Sequence, residues 1–400
     1  MNDEFNDIRP YADGEVKQAV KDLLADRQFA HILHSLAPWL PTIVRNALIR
    51  WAFIGINTTL QFQLRYMKPL VRRILRQCST GYTFRHDGIE PGPERYTFMS
   101  NHRDIVLDSA ILSYLLHEDG FPTTCEIAIG DNLLIYPWIR ILVKLNKAFT
   151  VQRGVSSRTL LESSQKMSRY MHHVINDKHD NIWIAQREGR AKDSNDRTQE
   201  SVLKMMSMGG DGSIIQRLKD LHIVPLTISY EYDPCDYLKA KEFQMKRDNP
   251  EFKKSKQDDL SNMKIGIFGK KGHIHYETAP CINEWLDELA DMPRTELYRE
   301  IAQRINMEIH RRYMLYPGNY VAADLLRGTR EFALFYTPAQ KRTFERYLKS
   351  RLEMIDLENK DIPYLRERIL TMYANPVFNK QKANLCGEDG PSWQGRLARC

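Results

Sequence analysis

The stretch RYTFMSNHRDIVLDSAILSYLLH, residues 95–117, joins a β-like run directly to a helix-like run. RYTFMSN has the aromatic and apolar residues of a short strand, whereas IVLDSAILSYLLH has the length and apolar spacing of a helix. His102 stands at the junction with Asp104 and Asp108 close by, which indicates a general base held by an acid. A polar turn in which His102 and Asp108 only cap the helix is the alternative.

The same alternation of strand and helix continues along the middle of the chain. CEIAIG, AFTVQ, NIWIAQ and HIVPLTISY resemble strands, and they alternate with helical patterns such as PWIRILVKLN and SRTLLESSQKMSRYMHHVI. This order predicts an α/β fold with a largely parallel sheet and flanking helices. KIGIF and HIHYETAP, joined through GKKG, are interpreted as a late hairpin, and the pattern after Ile282 is helical.

Cysteine usage and the N-terminal sequence both favour a cytosolic compartment. The six cysteines are scattered without a CxxC pair, which predicts reduced thiols rather than a disulfide framework. The segment MNDEFNDIRPYADGE is acidic and polar, unlike a signal peptide.

The stretch from Arg27 to His86 is strongly basic. It contains no Asp or Glu and nine Arg or Lys residues, beside uncharged runs too short or too polar to span a bilayer. Basic residues flanking apolar and aromatic runs favour a helix lying on an anionic membrane surface. An ordinary amphipathic helix pair packed on the domain is the alternative. No nucleic-acid-binding motif accompanies the charge, so nucleic acid is not an expected partner.

Polar clusters follow several of the predicted strands. They are Asn101-His102, Gln152-Arg153-Gly154, the run QREGRAKD at residues 186–193, and Pro225 within HIVPLTISY. Ligands bind at the carboxyl ends of strands in open α/β sheets, so these clusters can converge on one cleft. Arginines and a lysine there suit a phosphate, although any single arginine is also explained as a surface cation.

In order and spacing, these blocks resemble the glycerol-phosphate acyltransferase superfamily of membrane-associated lipid acyltransferases. NHRDIVLD, GDNLLIYPWIRILVKLNKAFTVQRG, REGRAKD and IVPLTISYE are similar to that family's consecutive motifs over roughly residues 85–231. GDNLL and VPLTISYE look closer to the glycerol-3-phosphate and dihydroxyacetone-phosphate branch. HExxH, Walker A, GxGxxG and GxSxG sequences do not occur in the chain.

The resemblance implies an enzyme that moves a fatty acyl group from acyl-CoA or acyl-carrier-protein to a hydroxyl of glycerol-3-phosphate or a lysophospholipid. His102 would be the general base and Asp108 the acid that orients it, with no metal or organic cofactor. The acceptor head group would contact Arg103, Arg153, Glu188, Gly189, Arg190 and Lys192. We expect the protein at the cytoplasmic face of the membrane, peripheral or monotopic. Alternatives are acylation of a non-phosphate, aminoacyl lipid and an inactive membrane-surface adaptor.

Two features of the sequence depart from the usual pattern of the family. Five residues lie between His102 and Asp108 where the family usually has four, and Arg190 occupies a position that is usually small. Asp104 lies in the turn, where it can cap the helix, whereas the Asp108 side chain would lean back toward His102. We therefore predict that Asp108 is the orienting acid.

The predicted organisation has four parts. Residues 1–86 form an N-terminal helical, basic region and residues 87–281 the α/β acyltransferase domain. Residues 282–375 form a C-terminal helical region, and residues 376–400 a loose tail.

Overall fold

Seven strands form one sheet in the computed structural model, which describes residues 3–35, 41, 44, 51–134, 136–152 and 157–388. The strands are β1 (Ser79–His86), β2 (Thr97–Ser100), β3 (Cys125–Gly130), β4 (Ala148–Val151), β5 (Asn181–Ala185), β6 (Ile223–Tyr230) and β7 (Gly272–Thr278). Their order is β1-β7-β6-β2-β5-β3-β4, and neighbours are parallel except β6 and β7. The predicted α/β fold with a largely parallel sheet is confirmed.

Helices flank the sheet and extend it toward both ends of the chain. They are α1 (Asp13–Ala25), α2 (Arg27–Ser35), α3 (Thr59–Phe62), α4 (Lys68–Cys78), α5 (Leu107–Glu118), α6 (Pro137–Leu145), α7 (Ser157–Asn176), α8 (Glu200–Met206), α9 (Ile214–Lys219), α10 (Asp236–Asp248), α11 (Lys256–Phe268), α12 (Asn283–Leu286), α13 (Arg294–Arg311), α14 (Pro317–Arg327), α15 (Pro338–Glu353) and α16 (Ile362–Glu388). A π-helical turn, Gln63–Met67, joins α3 to α4.

The strand alternation divides the core into two layers. Phe98 packs with apolar residues of α4 and α5 on one face of the sheet, while Met99 packs with those of α7 and α13 on the other. Trp183 and its neighbour Ile184 divide in the same way. Both faces of the parallel strands are therefore covered, as parallel sheets require. Full burial of side chains of this size stabilises the fold by about 1.5–3 kcal/mol each.

The predicted boundary at residue 86 is wrong, because β1 belongs to the sheet. Residues 79–86 pair in parallel with β7, so the α/β unit begins at Ser79 and the preceding region is not wholly helical. The sequence STGYTFRH alternates between less and more exposed positions, which is the pattern of an edge strand.

The late hairpin and the loose tail are also corrected. KIGIF lies within α11 and only HIHYETAP forms a strand, because a short apolar run does not by itself distinguish helix from strand. Residues 376–388 continue α16, in which Leu365, Ile369 and Val377 are buried among the C-terminal helices, and residues 389–400 lie outside the described residues.

No helix in the described ranges combines the length and the apolar character needed to cross a bilayer.

Candidate active site

The polar residues that follow β2 lie at the edge where the carboxyl ends of β6, β2 and β5 meet. Asn101 is fully buried there. Its side-chain Nδ2 donates to the carbonyl of Ile228 at 2.9 Å, and its Oδ1 accepts the Ile228 N–H at 2.8 Å. These two bonds continue the β2–β6 pairing beyond Ser100 and fix the direction in which the chain leaves the sheet. His102 is thereby delivered to the edge of the sheet.

His102 and Asp108 form a hydrogen-bonded pair. The His102 Nδ1 donates to Asp108 Oδ2 at 2.8 Å, which assigns the proton of the neutral ring to Nδ1. Asp108 is fully buried, whereas 13% of the His102 side chain remains exposed. Among the described residues Nε2 of His102 has no hydrogen-bond partner. One ring nitrogen therefore stays without a hydrogen bond from the described residues while the other is held by a carboxylate, which is the arrangement that a general base requires.

The Asp108 carboxylate is held by several donors. Its Oδ2 also accepts the backbone N–H of Arg103 at 2.6 Å and of Asp104 at 3.0 Å, and its Oδ1 accepts the Tyr230 hydroxyl at 3.0 Å. Hydrogen bonds to both oxygens fix the rotamer of the carboxyl group. Asp108 lies in the first turn of α5, so its side chain points back toward His102.

Asp104 has a different place from Asp108. Its Oδ1 accepts the N–H groups of Val106 at 2.9 Å and Leu107 at 2.8 Å, which caps the start of α5. Burial, together with the nearby negative charge of Asp108, raises the pKa of the Asp104 carboxyl. Gly266 of α11 packs directly against this carboxyl, since a Cβ there would come 2.3 Å from Asp104 Oδ2.

An aromatic wall lies beside the imidazole. The rings of His102 and Trp183 meet edge to face, with centroids 5.5 Å apart. The Trp183 Nε1 donates to the Ser100 hydroxyl at 3.0 Å, which orients the indole. A largely apolar neighbour of this size excludes water from one side of the imidazole and strengthens its hydrogen bond to Asp108.

The side chain of Arg103 is buried and does not lie on the surface. Its Nη2 donates to Asp196 Oδ2 at 2.7 Å, and Asp196 also accepts the Tyr313 hydroxyl at 2.5 Å. The His310 Nε2 lies 2.8 Å from the Asp196 carbonyl. The Arg103 Nη1 is buried without a hydrogen-bond partner among the described residues, and Arg103 lines a cavity with Tyr230 and Tyr313. Through Asp196, the arginine therefore links the end of β2 to Tyr313.

The Glu188-Gly189-Arg190 segment forms the loop after β5. Glu188 is exposed, and its N–H donates to the Gln199 side-chain oxygen at 2.7 Å. Gly189 has φ +68° with open space around its Cα, so this turn favours glycine. Burial alone would raise the pKa of Asp233, but the charge and hydrogen bond of Lys239, with a smaller contribution from the charge of Arg190, lower it.

Two other predicted contacts stand apart from this loop. The Lys192 amine forms an ion pair with Glu242, whose second oxygen binds Lys254 at 2.9 Å. Burial opposes ionisation of Glu242, but the hydrogen bonds from these lysines outweigh it and lower its pKa to about 2. Arg153 lies outside the described residues. Its neighbour Gln152, after β4, accepts the Ser163 hydroxyl at 2.6 Å.

The structure thus brings His102, Asp108 and the Glu188 loop to one edge of the sheet and directs Lys192 toward Glu242. Sequence reasoning missed Tyr230 and Asp196. Tyr230 is the last residue of HIVPLTISY, and Asp196 follows three residues after REGRAKD. The expectation that polar residues at strand ends meet could have included Tyr230, which ends β6, whereas Asp196 lies 11 residues beyond the end of β5, where no local pattern marks it.

Comparison with known proteins adds a family to this geometry. Residues 83–229 match the family model described as Acyltransferase. Among solved structures, the chain is similar to the 1-acyl-sn-glycerophosphate (LPA) acyltransferase PlsC from Thermotoga maritima. That match has 11% identity, covers 75% of this chain and 99% of that chain, and has a TM-score of 0.35. No curated protein matches the sequence. The family match includes His102, Asp108 and the Glu188 loop.

Proposed function

Residues 83–229 form an acyltransferase domain of the glycerol-phosphate acyltransferase superfamily, and on that premise we propose the reaction, its residues and its substrates. The protein transfers a fatty acyl group from a thioester, either acyl-CoA or acyl-carrier-protein, to a hydroxyl of glycerol-3-phosphate or of a lysophospholipid. The reaction belongs to membrane lipid biosynthesis.

His102 acts as the general base of this reaction. A thioester is already activated, so the demanding step is to remove the proton of a weakly acidic hydroxyl as it attacks. The His102 Nε2 takes that proton while the hydroxyl oxygen bonds to the thioester carbonyl carbon. The tetrahedral intermediate then breaks its C–S bond, and the imidazolium returns the proton to the leaving thiolate. Asp108 keeps the required tautomer and stabilises the imidazolium.

The observation that carries the proposal is the 2.8 Å bond between His102 Nδ1 and Asp108 Oδ2. A histidine that merely capped the helix would not need a fully buried carboxylate on its ring nitrogen. Two backbone N–H groups and a tyrosine hydroxyl fix that carboxylate in place. Burying the Asp108 carboxylate has a desolvation cost, and a role in catalysis explains why the protein retains it.

The acceptor head group is bound by the arginines and the Glu188 loop. Glu188, Gly189 and Arg190 follow β5, which pairs in parallel with β2, so the loop leaves the sheet at the same edge as His102. Arg190 contributes a charge-assisted contact to the phosphate, and Arg153 after β4 a second one. Arg103 contributes to head-group binding through its Nη1. Lys192 contributes indirectly, because its ion pair with Glu242 fixes the shape of the loop.

The N-terminal region brings the enzyme to an anionic membrane. Helix α4 buries Val71, Ile74 and Leu75 and exposes the cations Arg72, Arg73 and Arg76. The preceding segment exposes Trp51 by 68% and Ile54 by 65%. Exposed aromatic and aliphatic side chains beside cations suit the interface of an anionic bilayer.

An acceptor panel tests the proposal with purified protein. Thiol release from an acyl thioester is measured with glycerol-3-phosphate, a lysophospholipid and a hydroxylated aminoacyl lipid. We expect release with a phosphate-bearing acceptor, and we expect Arg190→Ala to raise the KM for that acceptor about 10-fold or more with the donor KM little changed. Release only with the aminoacyl lipid would identify the non-phosphate alternative, and no release with any acceptor would favour the adaptor.

A further inference from the structure

We propose that Tyr230 is a positioning residue for the base, acting through the Asp108 oxygen that His102 does not contact. This inference rests on the proposed function for its catalytic meaning, although the effect on His102 is measurable without turnover. The hydroxyl of Tyr230 fixes the carboxylate and shares its negative charge.

The Asp108 oxygens have unequal surroundings. Oδ2 accepts from His102 Nδ1 and from the N–H groups of Arg103 and Asp104. Oδ1 accepts the hydroxyl of Tyr230 at 3.0 Å, and Tyr230 is its only donor among the described residues. Hydrogen bonds at both carboxylate oxygens therefore resist rotation about the Cβ–Cγ bond, and Tyr230 provides the bond at Oδ1.

The position of Tyr230 follows from the sheet. It is the last residue of β6 and pairs with Ile274 of the antiparallel β7. On β7, Tyr276 donates its hydroxyl to the Asp108 backbone carbonyl at 3.1 Å. Two strands thus contact the first turn of α5 through tyrosine hydroxyls, one at the side chain of Asp108 and one at its backbone. Only the Tyr230 contact reaches the charge.

Burial, with the negative charge of Asp108 as a further cause, raises the pKa of the Tyr230 hydroxyl well above its ordinary value. The hydroxyl consequently keeps its proton over the working range and remains a donor. The other ionisable groups close to this pair are Tyr276 from β7, Asp104 from the loop, and Lys271, whose positive charge acts on Asp104.

Loss of the hydroxyl has a signature that a packing defect does not share. Without its donor, Oδ1 carries unshared negative charge, which favours the imidazolium form of His102. The pKa of His102 should therefore rise in Tyr230→Phe. A packing defect would instead lower stability and activity without moving this titration.

The test is an NMR titration of His102 in the full chain, with its resonance identified by its absence in His102→Gln. We expect the His102 pKa to rise in Tyr230→Phe and to stay unchanged in Tyr114→Phe, which removes a tyrosine hydroxyl from the far end of the same helix α5. In the turnover assay, kcat of Tyr230→Phe should fall about tenfold with both KM values little changed, and the acid limb of kcat/KM should move to higher pH.

An unchanged His102 titration in folded Tyr230→Phe would overturn the inference. An equal rise in Tyr114→Phe would do the same. If the His102 pKa rises in Tyr230→Phe but the wild type shows no turnover, the role of Tyr230 at Asp108 stands and the proposed function is rejected instead.

Discussion

Asp104 and Asp108 are both buried carboxyls within six residues of His102, and only Asp108 contacts the ring. We predict that Asp108→Asn lowers kcat roughly a thousandfold, because an amide neither enforces the Nδ1–H tautomer nor stabilises the imidazolium. Asp104→Asn should keep most of the activity, since asparagine also caps a helix. Steady-state kinetics on variants with wild-type circular dichroism decides the ranking, and the reverse order would assign the orienting role to Asp104.

The raised pKa of Asp104 predicts a pH dependence of stability. A carboxyl whose folded pKa exceeds its unfolded pKa contributes stability that is complete below the unfolded value and is lost as pH rises through the folded value. The wild type should therefore lose stability relative to Asp104→Asn as pH rises from about 4 toward 7. Urea unfolding of both proteins over this range measures the difference in free energy of unfolding. If the difference in free energy of unfolding between the two proteins does not change with pH, the pKa of Asp104 is not raised in the folded protein.

At the scale of elements, the C-terminal helix α13 completes the network beside the base. Tyr313, just after α13, and Arg103 share one oxygen of Asp196, although the sequence separates Asp196 from Tyr313 by 117 positions. We predict that Tyr313→Phe lowers the free energy of unfolding by about 1–3 kcal/mol and also reduces kcat, because Arg103 adjoins His102.

Tyr336→Phe is the matched control for Tyr313→Phe. Its hydroxyl donates to Asp324 at 2.8 Å in the same C-terminal region, away from the residues around His102. Chemical denaturation and kinetics on both variants separate the two effects. If both variants lose the same free energy of unfolding and have the same kcat as each other, α13 only adds stability and does not support the site.

The limits of prediction from sequence are clearest in these elements. β2 and α5 could be predicted because an alternating run and a long apolar run follow each other, and the helix-directed lean of Asp108 follows from its position in the first turn. KIGIF could not be assigned from its pattern, because five apolar-rich residues fit a strand as well as a helix. The contact of Tyr230 with Asp108 depends on the pairing of β6 with β2, which is a long-range property that local pattern does not contain.

At the scale of the whole molecule, charge on α4 predicts membrane binding. Replacing Arg72, Arg73 and Arg76 by Gln should weaken binding to anionic vesicles about a hundredfold, since each surface cation contributes about 1 kcal/mol near such a surface. Cosedimentation at rising salt measures it, and wild-type binding should weaken with salt as these charges are screened.

The control replaces three exposed cations of α15, namely Arg342, Arg346 and Lys349, by Gln. This variant changes net charge equally but leaves α4 intact, so its binding should stay close to that of the wild type. Equal weakening in both variants would show that net charge and not the α4 surface governs vesicle binding.

We propose above all that His102, oriented by Asp108, is the general base for acyl transfer to a hydroxyl of a phosphate-bearing acceptor. Mass spectrometry of the lipids of cells that express either the wild type or His102→Ala at equal levels tests it most directly. We expect an acylated glycerophosphate or phospholipid product to accumulate with the wild type and to stay at the background level with His102→Ala. Equal accumulation with both proteins would contradict it.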